Sequence, residues 1–204
     1  MIAVVDYGVG NLFSLMSSLR SLELDCIVTN KKEDLFRAEK IILPGVGAFG
    51  DAATKLNESG LFDTIKELAE IKPLLGICLG MQLLFDKSLE HGEHEGLGLI
   101  SGLIAPLAAD ISPTLKVPHM GWNKHEIVRD DPIFKYFKNG EWVYYVHSFY
   151  AKNCFENTLG VSEYCIMVPG LVRSASNLIY GMQFHPEKSG SAGLRLLKAF
   201  SEIK

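Results

Sequence analysis

The sequence predicts an α/β protein in which an open parallel sheet, flanked by helices, continues into an antiparallel extension. Three observations carry this. Short apolar runs alternate with segments of helical periodicity as far as Phe85; runs such as Lys40 to Leu43 stop on Pro or Gly; and beyond about Leu99 strand-like runs follow one another without intervening helical spacing. Alternating strands and helices build parallel βαβ units, and ligands of such sheets bind beyond the carboxyl ends of the parallel strands.

Ile2 to Val5 is a short apolar run ending at Asp6, a strand. Leu12, Leu15, Met16, Leu19 and Leu22 then recur at helical spacing, with Asn11 where an N-cap belongs. Strands follow at Cys26 to Thr29 and at Lys40 to Leu43, the latter closed by Pro44-Gly45. Helical segments come next, broken at Gly60 and stopped by Pro73. Leu74 to Cys78 is again a strand, and Leu79 to Phe85 opens another helix. The β-rich half offers strands near Leu99 to Leu107, Trp122 to Val128, Trp142 to Tyr150, Gly160 to Ile166, Gly170 to Ala175 and Leu178 to Phe184. Lys188 to Lys204 closes the chain as a helix with Leu194, Leu197 and Phe200 on one side.

Composition bounds the function. The 204 residues fit one domain, 1–204, and 48% hydrophobic with 22% charged residues is the balance of an ordinary folded chain. A net charge of -4 without a Lys/Arg run argues against nucleic acid as a ligand. The start, MIAVVD, lacks a charged segment ahead of a long apolar core, and no apolar run reaches the ~18 residues of a spanning helix. A cytoplasmic protein without membrane contact is expected. Cys26, Cys78, Cys154 and Cys165 lie far apart with no CxxC pair, which suits neither zinc nor a disulfide framework. GVGN near Gly8 lacks the rest of a dinucleotide loop, so neither cofactor nor metal is expected.

Chemistry concentrates in Leu75 to Leu84, LGICLGMQLL. Cys78 sits between Gly76 and Gly80 at a turn from strand to helix, where a side chain projects clear of the backbone. A free thiol titrates near about 8.5, so a nucleophile at neutral pH needs an imidazole or a helix N-terminus beside it. Two readings stand on GxCxG alone, a nucleophile or a buried core thiol. Gln183 to Glu187, QFHPE, adds a possible base, His185, and a carboxylate two residues on, Glu187, which on a strand would point to the same face. Pro44 to Gly47, PGVG, reads either as a plain βα turn or as a glycine loop whose N–H groups form an oxyanion hole.

GICLGMQ together with HPE and PGVG resembles the class I, triad-type glutamine amidotransferases. PGVGAFGDA, EGLGLI, VPHMGWN, YYVHSFY and QFHPEKSG, in this order, narrow the resemblance to the glutaminase subunits of imidazole glycerol phosphate synthases. The match runs from Met1 into the final helix, and PHMGWN is far more specific than the class motif. The resemblance implies a flavodoxin-like, mostly parallel sheet with helices on both faces and an antiparallel β extension.

It also implies roles. Cys78 attacks the glutamine carboxamide, His185 protonates the departing ammonia, and Glu187 holds His185. Oxyanion donors are the N–H of Leu79 and a loop N–H at Val46 or Gly47, in a loop that flips before catalysis. Glutamine is held by Gly47, Gln82, Ser148, Phe149 and a carboxylate for its amino group, Glu90, with Glu93 and Glu95 as alternatives. The implied partner is a (β/α)8-barrel cyclase that receives ammonia through a tunnel, docked on Asn11, Pro118, His119, Met120, Trp122, Tyr144 and Lys188. Two other readings stay open: a paralogous glutaminase serving a different synthase, and a catalytically silent regulatory subunit.

Overall fold

The computed structural model describes Met1–Lys204. Its strands are β1 (Ile2–Val5), β2 (Cys26–Thr29), β3 (Lys40–Leu43), β4 (Leu74–Ile77), β5 (Phe85–Ser88), β6 (His94–Glu95), β7 (Ile100–Pro106), β8 (His119–Ile127), β9 (Glu141–His147), β10 (Phe149–Lys152), β11 (Thr158–Tyr164), β12 (Ile166–Arg173) and β13 (Ile179–Met182). The helices are α1 (Leu12–Ser21), α2 (Lys32–Arg37), α3 (Phe49–Glu58), α4 (Leu61–Ala69), α5 (Leu79–Leu83) and α6 (Gly190–Glu202).

Nine strands form one sheet in the order β2-β1-β3-β4-β13-β12-β11-β8-β9. The first five are mutually parallel and the last four extend them antiparallel. The other four strands make a second sheet, β10-β7-β5-β6. Period-two alternation divides the core between the two faces of the large sheet. Ile2 and Val4 of β1 pack with Leu15, Met16 and Leu19 of α1 and Leu196, Leu197 and Phe200 of α6. Ala3 and Val5 pack instead with Leu35, Phe49, Leu56, Leu61 and Ile65 under α2, α3 and α4. Each fully buried leucine in these layers contributes about 1.5–3 kcal/mol.

Several elements differ from the sequence reading. Asn11 stands at the N-cap of α1 but makes no side-chain cap bond. The helix after Cys78 stops at Leu83 because its last carbonyls are taken from outside: Leu97 N–H donates to Leu83 O, and Leu99 and Ile100 N–H donate to Leu84 O. The run Trp142 to Tyr150 is two strands. β9 pairs with β8 as far as His147, the chain turns at Ser148, and β10 joins β7 in the second sheet. β13 ends at Met182, so His185 and Glu187 lie beyond it on a 3-10 turn, Pro186–Lys188, rather than on a strand. α2 and β6 are short elements without a clear periodic signal. On α6 the buried stripe is Leu196, Leu197 and Phe200, while Leu194 is only half-buried.

Candidate active site

Cys78 lies between β4 and α5, at the carboxyl edge of the parallel half, with φ 52° and ψ -109°. L residues avoid that region, and it is held here from several sides. Cys78 N–H donates to Met182 O at 2.7 Å, tying the turn to β13, and Gln82 N–H donates to Cys78 O at 3.0 Å to start α5. The flanking glycines act through packing. A Cβ on Gly80 would lie 1.8 Å from Leu43 O, and one on Gly76 would lie 2.6 Å from Gly80 O. The PGVG backbone and the Cys78 turn are therefore pressed together.

His185 and Glu187 are both nearly inaccessible, and His185 Nδ1 stands 2.8 Å from Glu187 Oε1. Pro186 opens the 3-10 turn that folds the two side chains toward each other, and His185 N–H donates to Tyr144 O at 2.9 Å. Burial alone would lower the His185 imidazole. The Cys78 sulfur and the Glu187 carboxylate outweigh it and lift the ring to about 10. Its Nε2 is buried without a hydrogen-bond partner, as is Glu187 Oε2. Cys78 Sγ lies 3.9 Å from Val146 O and 3.9 Å from Gln183 Nε2.

A cavity of about 290 Å³ brings Cys78 and His185 together with Val46, Gly47, Leu79, Gln82, Glu90, Pro118, Ser148 and Phe149. Gly47 holds φ 102°, a conformation suited to glycine, and neither it nor Val46 donates its N–H to any group of the chain. Gln82 is buried rather than solvated; its amide donates to Phe149 O at 3.0 Å and to Gln183 Oε1 at 3.1 Å. Of the three glutamates, Glu90 reaches the cavity, and its Oε2 accepts from Phe49 N–H at 2.6 Å at the start of α3. Glu93 instead pairs with Lys87 at 3.0 Å, and Glu95 is exposed on β6.

Of the residues expected at a docking face, Met120 and Trp122 are more than half exposed, and Lys188 Nζ lies 5.9 Å from the centroid of the Tyr144 ring. Trp122 packs edge-on against Tyr144 at 6.0 Å. Pro118 lines the cavity, and Asn11 borders the small void beside His185 and Glu187. His119 departs from the expectation: it is 3% exposed, stacked between Tyr145 and Tyr164 at 4.6 and 4.1 Å, and offers no side chain to a partner. Its strand neighbours Met120 and Trp122 point outward because side chains alternate along β8.

Val146 and His147, which line the cavity, went unassigned in the sequence, as did two residues beside it. Tyr7 O–H donates to Pro44 O at 2.9 Å and anchors the PGVG loop, and Gln183 bridges Gln82 and Cys78 from within the QFHPE motif. No cluster of three or more His, Cys, Asp or Glu side chains is arranged to hold a metal ion, and no helix is long and apolar enough to cross a membrane.

The profile of the family described as glutamine amidotransferase class-I matches residues 3–202. Among similar proteins, the imidazole glycerol phosphate synthase subunit HisH of Bacillus cereus (strain B4264) is 46% identical over 204 residues, covering 100% of this chain and 95% of that one. The subunit of the same name from Listeria monocytogenes serotype 4a (strain HCC23) is 45% identical, covering 100% and 96%. Among solved structures, one described as a glutamine amidotransferase superposes with a TM-score of 0.76 at 19% identity, covering 100% of this chain and 98% of the other. PurLQS from Thermotoga maritima superposes with a TM-score of 0.75 at 22% identity, covering 98% and 96%. At those identities the superpositions speak for the fold, an α/β sheet with helices on both faces, while the profile spanning nearly the whole chain and the full-length relatives carry the assignment: the chain belongs to the class-I glutamine amidotransferase family.

Proposed function

We propose that the chain is the glutaminase subunit of an imidazole glycerol phosphate synthase, acting as one domain in the cytoplasm and hydrolysing L-glutamine through a thioester on Cys78. The observation that carries the reading is the single cavity holding Cys78, His185, Gln82 and Glu90 beside the PGVG loop, in a chain 46% identical to a HisH subunit over its whole length. Cys78 gives its thiol proton to His185 and its Sγ attacks the side-chain carbonyl carbon of glutamine, while the N–H of Leu79 with that of Val46 or Gly47 receives the oxyanion. The His185 imidazolium, held by Glu187, gives its proton to the leaving nitrogen, so ammonia departs and the glutamyl thioester remains. Water then adds to the thioester while His185 takes its proton, and His185 returns that proton to Sγ as glutamate leaves.

Glutamine suits the cavity by charge and polarity. Glu90 offers a carboxylate for the α-ammonium group, and Gln82 with the backbone at Gly47, Ser148 and Phe149 lines the remainder. Ammonia released to water protonates and is lost, so the cavity needs a consumer docked over it. The partner is a (β/α)8-barrel cyclase that makes imidazole glycerol phosphate and aminoimidazole carboxamide ribotide in histidine biosynthesis, seated on Met120, Trp122, Tyr144 and Lys188 with Asn11 and Pro118 at the cavity margin. Met120 is 61% and Trp122 53% exposed on one strand, an apolar surface suited to an interface anchor. The test is co-purification with a histidine-pathway cyclase and stimulation of glutamine hydrolysis by it. Stimulation only by a cyclase from another biosynthetic route would favour a paralogous glutaminase.

A further inference from the structure

His119 and His147 form a buried pair that the proposed reaction leaves unused. They face each other as register partners on β8 and β9, and His119 Nδ1 lies 3.0 Å from His147 Nε2. The ends of this contact dictate where the protons sit. His147 Nδ1 is 2.8 Å from Phe149 O, a carbonyl that can only accept, so Nδ1 carries the hydrogen and Nε2 must accept from His119. At the other end Asn123 Nδ2 donates to Glu163 O at 2.8 Å and to His119 Nε2 at 3.3 Å, which leaves His119 with its hydrogen on Nδ1. Both rings are thus neutral and both carry the same tautomer. Burial pushes His119 down to about 4; burial, with His119 and His185 nearby, takes His147 to about 3, against the pull of the Phe149 carbonyl.

The relay ends at a place that matters. Ser148 is the corner where the chain leaves the nine-stranded sheet for the four-stranded one, and His147, Ser148 and Phe149 together form one wall of the cavity. His147 spans that corner with a bond from its ring to the carbonyl two residues on, and the same Phe149 O accepts from Gln82 Nε2 at 3.0 Å. Tyr145 and Tyr164 clamp His119 from both faces, so the ring that sets the His147 tautomer cannot turn freely.

We propose that His119 and His147 are positioning residues: a one-directional hydrogen-bond relay, Asn123 to His119 to His147 to the Phe149 carbonyl, holds the Ser148–Phe149 corner in the shape that receives glutamine. The corner's role in glutamine binding rests on the function proposed above; the relay itself does not. The geometry gives a reason for a histidine at each position, since its two ring nitrogens accept on one side and donate on the other.

The direct test is long-range 1H–15N correlation spectroscopy on the full chain with 15N-labelled histidine. His119 and His147 should both show a protonated Nδ1 and a bare Nε2 at neutral pH. A proton on Nε2 of either ring, or a charged ring, overturns the proposal. The kinetic test pairs the chain with its cyclase. His147→Asn keeps a donor at the Nδ1 position and His147→Gln does not, so the Gln variant should raise the glutamine KM about fivefold to tenfold with kcat within about twofold, and the Asn variant should recover most of that loss. Equal behaviour of the two variants, or a loss confined to kcat, overturns it; should either fail to fold, the tautomer measurement on the unaltered chain still decides. Absence of turnover by the unaltered chain with the cyclase would instead defeat the proposed function, leaving the tautomer result standing.

Discussion

His185 Nδ1 lies 2.8 Å from Glu187 Oε1, and both side chains are 3% exposed. A carboxylate so placed fixes the imidazole tautomer and stabilises its cation in a site that water hardly reaches. Glu187→Gln preserves the shape and removes the charge. With cyclase present, glutamine turnover should fall by about a thousandfold to ten-thousandfold. Turnover close to that of the unaltered chain would remove Glu187 from the mechanism.

The same pair gives a pH dependence with a definite sign. His185 is raised from 6.5 to about 10; burial opposes the shift, and Cys78 and Glu187 drive it. A raised folded value favours the fold wherever the ring is protonated, so the contribution is complete below about 6.5 and disappears as pH climbs through about 10. The melting-temperature gap between the unaltered chain and Glu187→Gln should therefore be widest near pH 6 and narrow toward pH 10. A gap that widens with pH would reverse the assignment.

The strained Cys78 backbone predicts an unusual order of stabilities. At φ 52° and ψ -109° a Cβ is disfavoured, whereas glycine is tolerated. Cys78→Gly should be more stable than Cys78→Ala by about 1 kcal/mol in urea unfolding, with both inactive. The reverse order would mean the turn is relaxed. Gly80→Ala, in contrast, places a Cβ 1.8 Å from Leu43 O and should cost about 3 kcal/mol or more.

Trp122 separates docking from folding. Its side chain is 53% exposed, so Trp122→Ala should leave the melting temperature nearly unchanged while weakening cyclase binding by about 2 kcal/mol, roughly thirtyfold. Titration calorimetry reads the second effect. Unchanged affinity would move the docking face elsewhere.

Much of this was legible in the sequence because the strands β1, β3 and β4 are buried on both faces and so appear as unbroken apolar runs, each followed by a turn. Cys78 stood out for the same reason. The corner at Ser148 was not legible: apolar alternation continues through His147 and Phe149 although the chain changes sheets between them. His185 and Glu187 do meet, but through the turn begun at Pro186 and not along a strand. His119 was placed at the docking face by its motif, yet period-two alternation along β8 sends Met120 and Trp122 outward and His119 inward. The roles of Gln183 and Tyr7 depend on contacts across more than 30 positions of sequence, which no local pattern carries.

In the proposed reaction Cys78 Sγ carries the glutamyl group. Acid-quenched intact-mass and peptide analysis of the chain during turnover with glutamine and the cyclase tests it most directly. A glutamyl adduct on Cys78, absent from Cys78→Ala along with all glutamine hydrolysis, is the predicted result. Hydrolysis that persists in Cys78→Ala, or an adduct on any other residue, would contradict it.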